Sequence, residues 1–301
     1  MPDPLAPFLD QPFTTAEARR AGVGRRRVHG RRLRRPFRGV RAGRDPETVL
    51  ELCRAYLPKM ALHEFFSHVT AAIIHDIWLP LAIERCLELH VSVIKAPTGS
   101  HRAPRDARVR GHHIVDRPGL VVERRGMRVA NAIETLCQLA SLLSEDDLVV
   151  AAESLLPPHR ASSAVMLERI VSAFSDPHRP HSRKLQRVAP RIRIGSRSAE
   201  ESRFRLRLVA AGLPEPLMNH RWRGPDGRTT EGDLVYLELR VWIEIEGDQH
   251  RTDQTQWRYD VVRYERLTDF DWRVIRVTAD DQRARLSETI ARVERALLRH
   301  R

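Results

Sequence analysis

The chain has 301 residues, 42% of them apolar and 30% charged, a composition that supports packed cores and excludes a fibrous or low-complexity chain. No apolar run approaches the ~18 residues of a membrane span, and the acidic, proline-bearing start MPDPLAPFLDQPF lacks the basic head and apolar stretch of a secretion signal; a cytoplasmic protein without a membrane partner is expected. A net charge of +13 and a pI near 10.8 point to a polyanionic partner, of which nucleic acid is the usual one.

Twelve arginines lie between Arg19 and Arg44. Thr14 or Thr15 can cap a short helix running to Ala21, and Gly22-Val23-Gly24 makes a turn. A second helix is expected from Arg25 to about Arg34, stopped by Pro36, with FRGVRA as a wing strand. These are the parts of a winged helix-turn-helix over residues 1–45. Its second helix would lie in the major groove of double-stranded DNA, with Arg25, Arg26, Arg27, Arg31, Arg32, Arg34 and Arg35 on phosphates and guanines. Phe13, Ala18, Val23, Val28 and Leu33 can close one small core; the competing reading is a solvated basic helix or a disordered arm.

Residues 46–156 read as an α/β middle domain. ETVLELCRAYL, EFFSHVTAAIIHDIW and PLAIERCLELH carry helical periodicity, HVSVIKAP and GLVVERRGMRVA look like strands, and NAIETLCQLASLL and EDDLVVAAESLL are amphipathic helices. His63, His68 and His75, and the pair His112-His113, match no ligand spacing with a supporting carboxylate and are read as structural. Cys53, Cys86 and Cys137 are odd in number and far apart, so they are read as small apolar residues in helices. Residues 157–197, rich in Pro, Ser, Arg and His, read as a linker region with one helix, AVMLERIVSAF.

Residues 198–301 give the clearest order. Ser198 caps a helix and Glu201 completes a capping box. LMNHRW, TTEGDLVYLEL and RVWIEIEG are strands, DQTQWRYDVVRYERLTDF is a helix, WRVIRVT a strand, and DQRARLSETIARVERALLRH one final helix. A two-residue turn at Glu238-Leu239 pairs Asp233 with Glu244. Side chains alternate along a strand, so Asp233, Glu244 and Glu246 share one face with Val235 and Trp242, while Leu234, Tyr236, Val241, Ile243 and Ile245 share the core face. Opposed like charges repel unless a cation lies between them. Mg²⁺ is a hard cation suited to carboxylates; a solvated strand face neutralised by Arg240 or Arg251 is the alternative.

The ordered set Asp233, Glu244-Ile245-Glu246-Gly247 and His250, with RYDVVR and DWRVIRVT following, resembles the PD-(D/E)xK restriction-endonuclease-like superfamily. It is most similar to the branch of the very short patch repair endonucleases, over roughly residues 195–298. The resemblance implies an αβββαβ nuclease domain that hydrolyses phosphodiester bonds with Mg²⁺ or Mn²⁺. It implies metal ligation by Asp233, Glu244 and the Ile245 carbonyl, and a role for His250 as general base or phosphate contact. Glu246 stands where the superfamily's lysine usually stands. Glu201 could reach the metal or simply cap its helix, and Asp260 and Arg263 match a helix motif of the family or form an ordinary helix pair. FTTAEARRAGVGRRRV with LRRPFRGV resembles the winged-helix start of AbiEi-type antitoxins, and SHVTAAIIHDIWLP and RGMRVANAIETLCQLA are similar to segments that follow it. That resemblance implies an alternative: a repressor or antitoxin, with a cognate toxin as partner, whose nuclease fold is a catalytically degenerate scaffold.

Overall fold

The computed structural model describes residues 5–95, 101–246 and 254–299, with 254–261 described as backbone. It is a mixed α/β protein. The chain packs as two compact units, residues 1–144 with 173–185, and residues 145–172 with 186–301. None of the described helices is long and apolar enough to cross a membrane.

In the first unit, β1 (Phe13–Thr14) leads into α1 (Thr15–Arg20). The Thr14 hydroxyl accepts from the Glu17 N–H (3.1 Å) and the Glu17 carboxylate accepts from the Thr14 N–H (2.7 Å), a complete capping box. Gly22 takes φ +80°, a turn that a side chain would strain. The next helix, α2, spans Arg25–Val28 only and does not continue to Arg34 as expected. Arg41, buried on β2 (Val40–Arg41), explains the stop. Its guanidinium donates to the Val28 carbonyl (2.9 Å) and lies 3.0 Å from His29 Nδ1, so the helix end is satisfied by a side chain and the chain turns at Gly30. β2 pairs antiparallel with β1. The small core is the expected one, Phe13, Ala18, Val23, Val28 and Leu33.

The rest of this unit follows with α3 (Val49–Tyr56), β3 (Glu64–Phe66), α4 (His68–Ile74), α5 (Leu81–Glu84), β4 (Leu89–Ile94), β5 (Val109–Ile114), β6 (Val121–Arg124), β7 (Met127–Ala130) and α6 (Ala132–Leu139). The five strands form one mixed sheet in the order β5-β4-β3-β7-β6. Three expectations are corrected here. Glu64–Phe66 opens EFFSHVTAAIIHDIW as a strand, because Phe65 and Phe66 are buried next to Val91 in the sheet core. PLAIERCLELH is a four-residue helix whose tail already belongs to β4. GLVVERRGMRVA is two strands: Arg125 (φ +54°) and Gly126 (φ +70°) form a two-residue hairpin turn in the left-handed region. Strand β5 had no counterpart among the elements expected from sequence. Phe37 and Val40, from the expected first domain, pack in the sheet core with Val49 and Tyr56.

The second unit begins with α7 (Glu145–Glu153). α8 (Ala161–Ser175) and α9 (Ser182–Val188) fill the expected linker region, where Ile170, Phe174, Leu185, Val188 and Ile192 are buried. Each of these two helices is divided between the two units. Then come α10 (Ala199–Ala210), β8 (Leu217–Arg223), β9 (Thr229–Tyr236), β10 (Val241–Ile245), α11 (Gln254–Asp269), β11 (Arg273–Val277), α12 (Ala279–Arg283) and α13 (Leu286–Leu298). The sheet order is β11-β10-β9-β8: a three-stranded antiparallel meander, then β11 parallel to β10 after the α11 crossover. The expected single final helix is two. A second capping box, Thr278 with Asp281, sets a short first helix, and Arg285 folds back onto Asp280 (3.3 Å) and Asp281 (3.2 Å) at the break.

One side of this sheet is the expected core: Leu234, Tyr236, Val241 and Ile243 pack with Phe204, Leu208, Val277 and Val293, with Ile245 against them. The other side buries Val235 and Trp242 under Leu267 and Trp272. An aromatic-lined second face is what makes the carboxylates on it unusual.

Candidate functional site

The hairpin has the expected register and turn. Val241 pairs with Tyr236, Trp242 with Val235 and Ile243 with Leu234, and the Arg240 N–H donates to the Leu237 carbonyl across Glu238-Leu239. Regular pairing with β10 ends there. Asp233, the next residue on β9, uses its carboxylate instead, accepting from the Ile245 N–H at 2.7 Å. Asn219 on the neighbouring strand has φ +43°, and β8 and β9 skip a pair at this level. Below the break, Gly232 lies against Trp242, where a Cβ would collide with the indole. Glycine is therefore required for the tryptophan to lie flat over the strand.

Glu244 is buried on β10. Its Oε1 accepts from Trp242 Nε1 at 2.5 Å and meets the Arg263 guanidinium at 3.1 Å. Arg263 comes from α11, so that helix sets a guanidinium against Glu244. Burial pushes the Asp233 carboxyl up from 3.8 to about 7, helped by the neighbouring charges of Glu244 and Glu201 and opposed by the Ile245 N–H and Arg263. Glu201 accepts from Asn219 Nδ2 (2.6 Å), the Arg197 N–H (2.9 Å) and Ser198 Oγ (2.9 Å). Its cap differs from the expected box in that the main-chain donor is Arg197 rather than Ser198. Both Glu201 oxygens are thus engaged by the helix start and β8.

Glu246 lies just beyond β10, ion-paired with Arg276 of β11. Arg240, one of the two arginines that the alternative of a neutralised strand face invoked, donates to the Phe270 carbonyl (2.8 Å). Gly247, His250 and Arg251 lie outside the described residues. Asp260 is on the part of α11 described as backbone.

The donor chemistry fits a hard divalent cation: two carboxylates, one of them raised in pKa by burial and then by its acidic neighbours, at a strand end that also offers the Ile245 carbonyl. The donors are all oxygen. They suit Mg²⁺ or Mn²⁺ and not a soft metal.

The seven arginines proposed for DNA are all exposed. Arg25, Arg26 and Arg27 lie on α2, while Arg31, Arg32, Arg34 and Arg35 lie on the irregular segment after it. Arg34 stands 3.5 Å from Asp45, and Arg35 donates to the His29 carbonyl.

The structure regroups the histidines. His75 Nε2 donates to the Ala130 carbonyl (2.8 Å), a structural role. His68 is not with His63 or His75 but with His90 and His112, and these are the one set of three metal-ligating side chains, among the described residues, whose donor atoms lie within 4.8 Å of one another. Spacing along the chain does not show this set, because the three lie far apart in sequence; the signal for it is the alternation of His90 and Ser92 with Leu89, Val91 and Val93 along one strand.

Two uncharacterized proteins of Mycobacterium tuberculosis, from strains CDC 1551 / Oshkosh and ATCC 25618 / H37Rv, are each 28% identical to this chain over 104 residues. The match spans 35% of this chain and 38% of each relative, so well under half of either protein is shared. No family model matches the chain. No solved structure matches it.

Proposed function

We propose that this is a cytoplasmic DNA-binding protein with a restriction-endonuclease-like C-terminal domain that hydrolyses phosphodiester bonds with Mg²⁺ or Mn²⁺. The observation that carries the reading is Asp233: a half-buried carboxyl beside Glu244 and Glu201, raised to about 7, is a place where a cation relieves repulsion. Asp233, Glu244 and the Ile245 carbonyl would hold the ion, which when bound supplies charge stabilisation at the scissile phosphate and an acidified water. The Ile245 N–H orients Asp233, and Trp242 Nε1 orients Glu244. Arg263, 3.1 Å from Glu244, can turn from carboxylate to phosphate when an ion takes its place.

The test is supercoiled plasmid with Mg²⁺, with Mn²⁺ and with EDTA, beside Asp233→Ala. Metal-dependent nicking that the variant loses, with duplex binding kept, is expected. Cleavage that survives Asp233→Ala overturns the site.

A second reading rests on a specific observation: Glu244 with Arg263 and Glu246 with Arg276 are already neutralised by arginine. A repressor or antitoxin with a silent nuclease scaffold needs no ion there. Duplex binding with no cleavage under any metal selects it, and a cognate toxin is then the partner to seek.

On either reading the arginine segment is proposed to follow a winged helix-turn-helix plan and to hold duplex DNA. Replacing Arg25, Arg26 and Arg27 together by Gln is expected to flatten the dependence of log K on log salt by about 0.9 for each phosphate that is no longer neutralised. Their exposure predicts a stability change within about 0.5 kcal/mol each. Binding titrations at several salt concentrations read the first effect and thermal melts the second; an unchanged slope removes this segment from the interface.

A further inference from the structure

The first unit contains a polar cluster of its own. His68 opens α4, His90 lies on β4 and His112 on β5, the strand parallel to β4. His90 Nδ1 and His112 Nε2 are 3.0 Å apart. The His68 ring stacks on His112 with centroids 3.9 Å apart and planes 23° apart. His68 and His90 are buried, and His112 is half-buried, leaving the cluster one side toward solvent.

A hydrogen-bonded stack of imidazoles is the simplest account, but two features ask for more. His68 is held with φ +48°, a left-handed conformation unfavourable for a residue with a Cβ, and its N–H is fixed by Gln138 Oε1 (2.9 Å). The far nitrogens also have supports of the kind that orient metal-bound histidines. His68 Nδ1 lies 3.0 Å from Ser67 Oγ, which Ser92 Oγ meets at 2.6 Å. His90 Nε2 faces the Glu88 carboxylate at 3.7 Å, with Arg110 behind it at 3.5 Å. The tautomer that carries hydrogen on His68 Nδ1, donated to Ser67 Oγ, and on His90 Nε2, on the Glu88 side, leaves His68 Nε2 and His90 Nδ1 with lone pairs for a metal.

We propose that His68, His90 and His112 form a three-histidine site for a borderline divalent transition metal of the Zn²⁺ class, with its fourth position open on the His112 side. Nitrogen donors select this class and disfavour Mg²⁺ or Ca²⁺. Zn–N bonds of about 2.0–2.1 Å put tetrahedral nitrogens about 3.3 Å apart, so the His90–His112 pair is already near that spacing and His68 reaches it by turning out of its stack. Burial lowers the pKa of all three rings, which favours the neutral imidazole that ligates a metal.

The test uses the full chain without a histidine tag, stripped with EDTA, desalted and titrated with Co²⁺ at neutral pH. One equivalent with the visible bands of low-coordinate Co²⁺ is expected, and Zn²⁺ should displace it. His112→Gln, at the half-buried position, and His90→Gln should each weaken binding by more than the ~10–100-fold typical of losing a mere supporting group. Asp233→Ala should leave the bands in place. Absence of the bands in folded wild-type protein, or their survival in His112→Gln, overturns the site. X-ray absorption of the Zn²⁺-loaded wild type decides independently of whether a variant folds. Three imidazole nitrogens support the site, and an all-oxygen shell places the ion elsewhere and overturns it.

Discussion

Asp233→Asn is expected to flatten the pH dependence of stability and to raise the melting temperature at pH 8. Asp233 has its folded-state pKa raised from 3.8 to about 7. A raised pKa means the stabilised form is the protonated one. The contribution is fully present below about pH 4, is lost as pH rises through about 7, and is absent above it. A displacement of that size carries up to about 4 kcal/mol, an upper bound because part of the carboxyl remains near solvent. The amide of Asn keeps an oxygen for the Ile245 N–H without the charge. Thermal melts of both proteins at pH 5 and pH 8 check the sign: the wild type should lose stability toward pH 8 and the variant should not. Adding Mg²⁺ at pH 8 should restore the wild type and leave Asp233→Asn unmoved, since only the carboxylate gains from the ion. A wild type that is more stable at pH 8 than at pH 5 through this residue contradicts the crowding of acids around it.

Arg205→Ala is expected to cost the second unit about 3–5 kcal/mol. Arg205 is a fully buried arginine on α10. It bonds Glu153 of α7 at 2.6 Å, Glu215, and the Arg191 carbonyl at 3.1 Å. Glu153 is itself fully buried, takes the Arg193 N–H at 2.8 Å, and has its pKa raised by desolvation against the pull of Arg205. Removing the guanidinium leaves a carboxylate in a dry place with no counter-charge, which is the costly half of a broken buried pair. Replacing both partners, Arg205→Met with Glu153→Gln, should recover most of the loss. The Arg205→Ala defect should shrink as pH falls, because the orphaned Glu153 can then be protonated. Urea unfolding at pH 5 and pH 8 reads all three expectations; a single variant as stable as wild type at pH 8 would show that the pair holds nothing.

The hairpin was legible because alternation and a two-residue turn together determine every partner: Leu234, Tyr236, Val241 and Ile243 landed in one core and Val235 and Trp242 in the other. The first small core was legible for the same reason at helical spacing. The departures have local causes. Asp233 leaves the ladder because a short carboxylate can replace a main-chain acceptor for the Ile245 N–H, a competition no periodicity reveals. The α2 helix ends early because Arg41, thirteen residues on from Val28, takes the carbonyl that another helical turn would have used. Glu64–Phe66 is a strand because its sheet neighbours are strands, and a three-residue segment is too short to show a period of its own. Arg263 was readable only as one of two options, since a helix spacing does not say what lies across from it; its meeting with Glu244 depends on the parallel crossover. The histidines lie 22 residues apart twice over, and only the parallel pairing of β4 with β5 brings the second and third together.

The way the chain divides between its two units has a consequence for how it can be made and cut. Residues 145–172 belong to the second unit, 173–185 return to the first, and 186–301 go back to the second. Neither unit is a continuous piece of chain. During synthesis the first cannot complete its packing when residue 144 emerges from the ribosome; it waits for 173–185, by which time the opening helix of the second is already outside and without its partners. The same interleaving defeats dissection at the apparent boundary near residue 198: a recombinant fragment starting there holds the whole four-stranded sheet and its acids but leaves Glu153 behind. Such a fragment is expected to be insoluble, so an inactive C-terminal truncation would report on a severed ion pair before it reported on catalysis.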